Sequence, residues 1–392
     1  MPREAFDYVV IGAGSAGCVL AARLSEDPDV RVLVLEAGGP DHRWDWRLHM
    51  PAALAWPMSG RRYNWGYRTE PQANLDGRRL DWPRGKVLGG SSTINGMAYV
   101  RGNPLDFDNW AQDPGLQHWR HAEVLPYFKR AETYDRGPDT WRGGEGPLFT
   151  TAGRGWSPLY RAFVEAGIAA GYPATADMNG YQQEGFGRMD ATIHRGRRWS
   201  AARAYLHPAM ARPNLVVETG AQVQRLTFDR DRCTGVAYRR GGQDRHVAAA
   251  REVVLAAGAI GSPQLLLLSG IGPADELRAA GIAPRLDLTG VGRNLQDHLE
   301  LYVQHRCTQP VSLYPATRPL GMLATGLQWL ATGQGWGGSN HFESGGFIRS
   351  REGLEWPDLQ YHFLPLAVRY DGKAAAQCHG FQAHVGPMRS SS

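Results

Sequence analysis

The stretch from Phe6 to Glu36 constrains this chain more than any other. Phe6 to Ile11 is rich in valine and aromatics, which predicts a buried strand. Gly12-Ala13-Gly14-Ser15-Ala16-Gly17 follows at once, and Val19, Leu20, Ala22, Arg23 and Leu24 then take up a helical period. Arg31 to Leu35 predicts a second strand, closing on Glu36 and Ala37 before the turn Gly38-Gly39. Strand, glycine turn, helix and returning strand make a parallel βαβ unit of the dinucleotide-binding kind. Gly12 permits the tight turn, Gly14 lets a pyrophosphate approach the helix N-terminus, and Gly17 lets the helix lie close on the sheet. A carboxylate at Glu36 can accept both ribose hydroxyls of an adenosine and would repel a 2′-phosphate. NADP is therefore disfavoured, while FAD and NAD both remain open.

Arg84 to Tyr99 packs glycines and small hydroxyls into a run that opens on cations and contains no proline. Such a backbone can press against a flat polar cofactor and offer it N–H groups. Its candidate contact residues are Arg84, Gly85, Val87, Gly89, Gly90, Ser91, Asn95, Gly96, Met97 and Ala98. Further on, Glu252 to Ala257 predicts a strand running into Gly258, an arrival at the carboxyl edge of a parallel sheet. Ala257 and Gly258 join the cofactor candidates. Ser262-Pro263 is expected to cap and start a helix whose leucines, Leu265 to Leu268, belong to the core. His298 has no visible partner and is read as structural. Strands are also expected over 214–220, 222–229, 235–239 and 246–257.

Composition narrows the class. At 392 residues the chain calls for two domains or one large unit. Its net charge of 43 − 38 = +5 is small and scattered, so no nucleic acid partner is expected. The four cysteines form no C-x-x-C pair and no metal-like cluster, which points to free thiols and no metal site. No secretory leader is visible and no apolar run reaches the roughly 18 residues of a membrane span. Pro319 to Leu330 is apolar but too short.

Gly85 to Asp108, and Gly258 to Leu265 with Ser269-Gly270-Ile271-Gly272, resemble the two signatures of the glucose–methanol–choline (GMC) oxidoreductases. Val291 to His298 is similar to another segment of that family. The resemblance implies an FAD-dependent alcohol oxidoreductase. Its fold class would be α/β: a Rossmann-like FAD-binding domain over 1–306, with a substrate-side insertion near 151–209, and an α+β substrate domain beginning at 307–392. Some members hold flavin covalently through a histidine in the first signature; Ile94 stands before Asn95 here, so non-covalent FAD is expected.

Five further runs resemble the choline-oxidising branch: Glu36 to Asp41, Met50 to Ala55, Tyr63 to Trp65, Asn179 to Gly187 and Ser339 to Ser350. That branch implies choline or a related alcohol as substrate, betaine aldehyde as product and a respiratory electron acceptor. It also implies a place on the cytoplasmic side, peripheral to the inner membrane. A quaternary ammonium has no N–H, so its site needs a carboxylate and aromatic faces. Glu343 is the candidate acid by resemblance, and Trp56 and Trp65 the candidate walls. The family also implies a histidine base in a His-Pro-x-Gly-Thr-like segment. No such motif occurs up to Ser392, and His207-Pro208-Ala209-Met210 is read as a loop. The sequence thus reads as a form cut short of its base, with no catalytic residue assignable.

Overall fold

The computed structural model describes residues 6–368 and 376–390. Strand β1 (Phe6–Ile11) leads through the glycine turn into helix α1 (Ser15–Leu24) and strand β2 (Val32–Glu36). Helix α2 (Pro158–Ala169) and strand β3 (Gly185–Arg188) come next. Strands β4 (Leu215–Thr219), β5 (Ala221–Asp229), β6 (Arg232–Arg240) and β7 (Gln243–Leu255) follow. Helix α3 (Gly258–Leu268), strand β8 (Leu301–Arg306) and helix α4 (Pro319–Thr332) precede the last three strands. These are β9 (Ser344–Ile348), β10 (Leu359–Leu364) and β11 (Gly380–Pro387).

Two sheets organise the chain. The first runs β4-β2-β1-β7-β6-β5, parallel through its first four strands and antiparallel in the β5–β6–β7 meander. Period-two alternation splits its core between the two faces. Val10, Val32 and Val34 pack with Cys18, Ala21 and Ala22 of α1 and with residues 201–206. Val9, Ile11, Leu33 and Leu35 pack on the other face with Val236, Val247 and Leu265. Each such side chain, fully buried, contributes about 1.5–3 kcal/mol. The second sheet runs β8-β11-β10-β9-β3 and is antiparallel throughout. This is the α/β architecture expected, a Rossmann-like region joined to an α+β region.

Three local expectations are corrected. Helix α3 starts at Gly258 instead of Ser262, so Pro263 lies inside it. Gly258 takes φ +82°, a conformation open to glycine, and launches the helix directly from the strand. Of its four leucines only Leu265 is fully buried, while Leu268 is exposed. His207-Pro208-Ala209 is a helical turn continuing the π-helical turn Ala202–Leu206.

Candidate functional site

Four sequence-distant segments meet at the carboxyl edge of β1. A Cβ on Gly17 would lie 1.9 Å from the Gly12 carbonyl, and one on Gly12 (φ +93°) 2.7 Å from that of Ala256. The fingerprint turn is thus pressed between α1 and the end of β7. Glu36 clamps it: Oε2 accepts the Ala13 N–H at 2.8 Å and Oε1 the Gly38 N–H at 2.7 Å. Burial raises the Glu36 carboxyl above the usual range, with the Gly38 and Ala13 N–H groups and the Lys86 charge pulling the other way.

The Arg84–Tyr99 run locks onto this turn. The Gly89 N–H donates to Ala13 O at 2.7 Å and the Leu88 N–H to Gly39 O at 3.0 Å. A Cβ on Gly90 would reach within 2.7 Å of Gly14 Cα, and one on Gly38 within 2.2 Å of the Val87 nitrogen. Met97 is buried yet sits at φ +60°, a strained value for methionine, and its N–H donates to Asn95 Oδ1 at 3.1 Å. Behind it lies Arg198, which sequence reasoning missed. It is 1% exposed and donates to Leu48 O, Ser92 O, Asn95 O and Asn95 Oδ1. Burial pushes its guanidinium down to about 9. Arg197 and Arg198 are adjacent in sequence, and only tertiary contact tells the buried one apart.

These residues fit a dinucleotide. Gly14 caps α1 with no side-chain hydrogen bond, and an added Cβ would meet nothing within 4 Å. Ser15 and Ala16 are exposed, so the first-turn N–H groups of α1 face open space, as an anion site requires. Each Glu36 oxygen spends one lone pair on the chain and keeps another for a ribose hydroxyl. Ala257 is half-buried and Gly258 exposed at the same edge.

The substrate-side candidates are placed separately. Glu343 is buried, accepting the Ser339 hydroxyl and the Gly155 N–H, each at 2.6 Å. Its turn is stitched to the cofactor run by Asn340 Nδ2, which donates to Gly96 O at 2.8 Å. Trp56 is exposed, edge-on to Trp46 at 5.6 Å. Trp65 stacks on Tyr67 at 5.8 Å and carries Lys86 Nζ 4.3 Å from its ring centre. Among the described residues no hydrogen bond or ring contact joins either tryptophan to Glu343.

A histidine group, also missed, lies beside that turn. Tyr302, His384 and His362 stand in one cross-strand row over β8, β11 and β10. Phe342 packs 5.9 Å from the rings of both His362 and His384. The same phenylalanine would lie 3.8 Å from a Cβ on Gly96. His384 Nδ1 approaches Glu300 Oε2 at 3.4 Å. Burial pushes the His362 imidazole down to about 4, with Glu300 opposing and His384 and His298 assisting. His362 is therefore neutral at physiological pH, able to donate and accept hydrogen bonds without charge. His298 bonds the Pro387 carbonyl through Nδ1 at 2.9 Å, a tie to the neighbouring strand.

Comparison with known proteins agrees with this geometry. The GMC oxidoreductase family model matches residues 6–300. An "Oxygen-dependent choline dehydrogenase" of Burkholderia multivorans is 57% identical over all of this chain, which covers 70% of that protein. The solved pyridoxine 4-oxidase from Mesorbium loti is 34% identical with a TM-score of 0.84, over 97% of this chain and 71% of that one. Formate oxidase of Aspergillus oryzae is 25% identical with a TM-score of 0.90, over 99% of this chain and 74% of that one. With both signatures in place on the matching fold, the chain belongs to the GMC oxidoreductase family and is an FAD-dependent oxidoreductase whose substrate is an alcohol.

Proposed function

We propose that the alcohol is choline, oxidised to betaine aldehyde on a non-covalently held FAD, as in glycine betaine biosynthesis. The observation that carries this reading is the 57% identity, along the whole chain, to a relative of that name. FAD, when bound, would supply the two-electron acceptor for the hydride of the alcohol carbon, with the hydroxyl proton released to solvent and the electron pair going on to an acceptor. The chain's own residues hold and orient. Gly12, Gly14, Ser15, Ala16 and Gly17 present the α1 N-terminus to the pyrophosphate, and Glu36 with Ala37 receives the adenosine ribose. Arg84, Gly85, Val87, Gly89, Gly90, Ser91, Asn95, Gly96, Met97 and Ala98 form the backbone wall, closed by Ala257 and Gly258.

Glu343 supplies the negative charge for the trimethylammonium group, and Trp56 and Trp65 supply aromatic faces. Lys86 Nζ, 4.3 Å from the Trp65 ring centre, supports a cation-facing role for this indole. A respiratory acceptor would place the protein peripherally on a membrane.

Anaerobic mixing of the FAD-loaded chain with choline and with its uncharged carbon isostere, 3,3-dimethylbutan-1-ol, tests the assignment. Faster bleaching of bound flavin by choline is expected. Equal rates would point to an uncharged alcohol, as the pyridoxine 4-oxidase likeness would favour. Bound flavin bleached by neither would leave a flavin-binding protein without turnover.

A further inference from the structure

Helix α4 carries an apolar face that no described element covers. Its inner side is anchored: Trp329 is buried with Met50 and Ala53, and its indole N–H donates to Gly196 O at 2.6 Å. Leu320, Leu323, Leu327 and Leu330 fall on the opposite side, within an arc of about 80° at 3.6 residues per turn. They are 81%, 59%, 58% and 65% exposed. Single exposed leucines are ordinary, but four in one stripe make a patch.

The surroundings are cationic and aromatic. Exposed Arg318 stands at the N-cap position of the helix without a side-chain cap. At the other end Gly333 rests against the backbone of exposed Arg195, and the Arg197 guanidinium lies 4.7 Å over the Trp329 ring. Trp336, just past the helix, meets exposed Trp156 edge-on at 5.9 Å, and Arg154 lies 5.4 Å over Trp156. The run from 301 to 342, which carries α4, contains no aspartate or glutamate.

The geometry points to α4 as an interfacial helix that seats this protein on a bilayer surface bearing anionic headgroups. This rests on the peripheral association proposed above and gives it a surface. At 14 residues the helix cannot span, since a crossing needs about 20. Lying in the interface plane, it buries its leucines at the acyl boundary and holds Trp156 at headgroup level. Exposed Arg154, Arg195 and Arg318 then reach headgroup phosphates. A second copy is a poorer occupant: a two-fold contact on this face would bring its arginines together.

The test is co-sedimentation of the FAD-loaded chain with vesicles of phosphatidylcholine alone or mixed with phosphatidylglycerol. Partition onto the mixed vesicles should be at least about tenfold stronger and should weaken with salt. The double variant Leu323→Glu/Leu327→Glu should lose about tenfold or more in partition while keeping its flavin and its melting midpoint. Equal partition of parent and variant would overturn the assignment of α4, and partition of neither onto any vesicle would overturn the association as well. A solution dimer that the variant dissolves, with vesicle partition unchanged, would make the face a contact between copies instead. Bleaching by choline, scored in the same preparations, reports the substrate reading separately.

Discussion

Replacing Glu36 by glutamine separates the fold of the fingerprint turn from its use. The carboxylate takes one N–H on each oxygen, from Ala13 and Gly38, in a site 5% exposed. Glutamine keeps one acceptor oxygen and turns an NH2 toward the other N–H. Losing a hydrogen bond to a charged acceptor costs about 1.5–3 kcal/mol, and the remaining bond weakens as its acceptor becomes neutral. Against that, burial raises the Glu36 carboxyl by more than its N–H partners and Lys86 lower it, so the ionised form is held at a net cost that glutamine partly recovers. The balance is about 2 kcal/mol of lost stability in the FAD-free protein. At roughly 2.1 cal/mol/K per residue over this length, the midpoint falls by about 2–3 °C. FAD loses its charged ribose acceptor at the same time, worth another 1.5–3 kcal/mol or so, which is about ten- to a hundredfold in Kd. Differential scanning fluorimetry of the FAD-free protein and titration of flavin fluorescence measure the two separately. An unchanged midpoint would refute the clamp across Ala13 and Gly38; unchanged FAD affinity would refute the ribose contact.

Gly14→Ala and Gly17→Ala should part company although both sit in one motif. The first meets nothing within 4 Å, so it should fold with an unaltered midpoint yet bind FAD at least about tenfold more weakly by titration; the second meets Gly12 O at 1.9 Å and should cost more than about 3 kcal/mol, read as loss of soluble protein. Burial holds His341 and His362 at about 4 in the folded chain against 6.5 as their ordinary value, so the unfolded chain binds more protons between those limits. Stability should therefore be full above pH 6.5 and fall as pH drops toward 4, by about 1–2 kcal/mol per histidine after solvent screening. His49, His121 and His194, also lowered chiefly by burial, act in the same direction. A urea midpoint flat between pH 6.5 and 4.5 would contradict this. Acid precipitation should leave the pellet colourless and the flavin in the supernatant, whereas yellow colour remaining with the polypeptide would show a covalent link.

Much of the first sheet was legible because its signals are local. Phe6 to Ile11 is one valine-rich run bounded by glycine, and its observed ends agree with the expected ones. The strands expected over 214–220 and 222–229 are found at Leu215–Thr219 and Ala221–Asp229. The misjudged start of α3 has a physical cause. Pro263 marks a helix start by its missing N–H, but the glycine at 258 could already turn the chain, and a short apolar helix tolerates one missing bond near its N-terminus. His207, expected in a loop, lies in a helical turn where Asp41 fixes its ring by accepting from Nε2 at 2.8 Å. That partner lies 166 residues away.

The rest of the site is a product of register, which a single sequence hides. His362 and His384 pair across β10 and β11, and Tyr302 pairs with His384 across β8 and β11. Directly opposed residues share a face, so a slip of one residue in either strand would send one imidazole to the other side of the sheet. What fixes their place relative to the cofactor run is the turn Ser339–Glu343. Asn340 bonds to Gly96, Ser339 and Gly155 bond to Glu343, and Phe342 backs both histidines. One five-residue turn thus joins the antiparallel sheet to the loop that would hold the flavin. Glu343 at its base closes the turn with both oxygens, and in the choline site proposed above it would also supply the charge. Loosening it should therefore misplace the cofactor run as well as weaken the hold on a cationic substrate. Ser339→Ala, which removes one donor and leaves the carboxylate, can divide the two effects: a shift in the flavin spectrum at unchanged apparent choline affinity would assign the hydrogen bond to positioning.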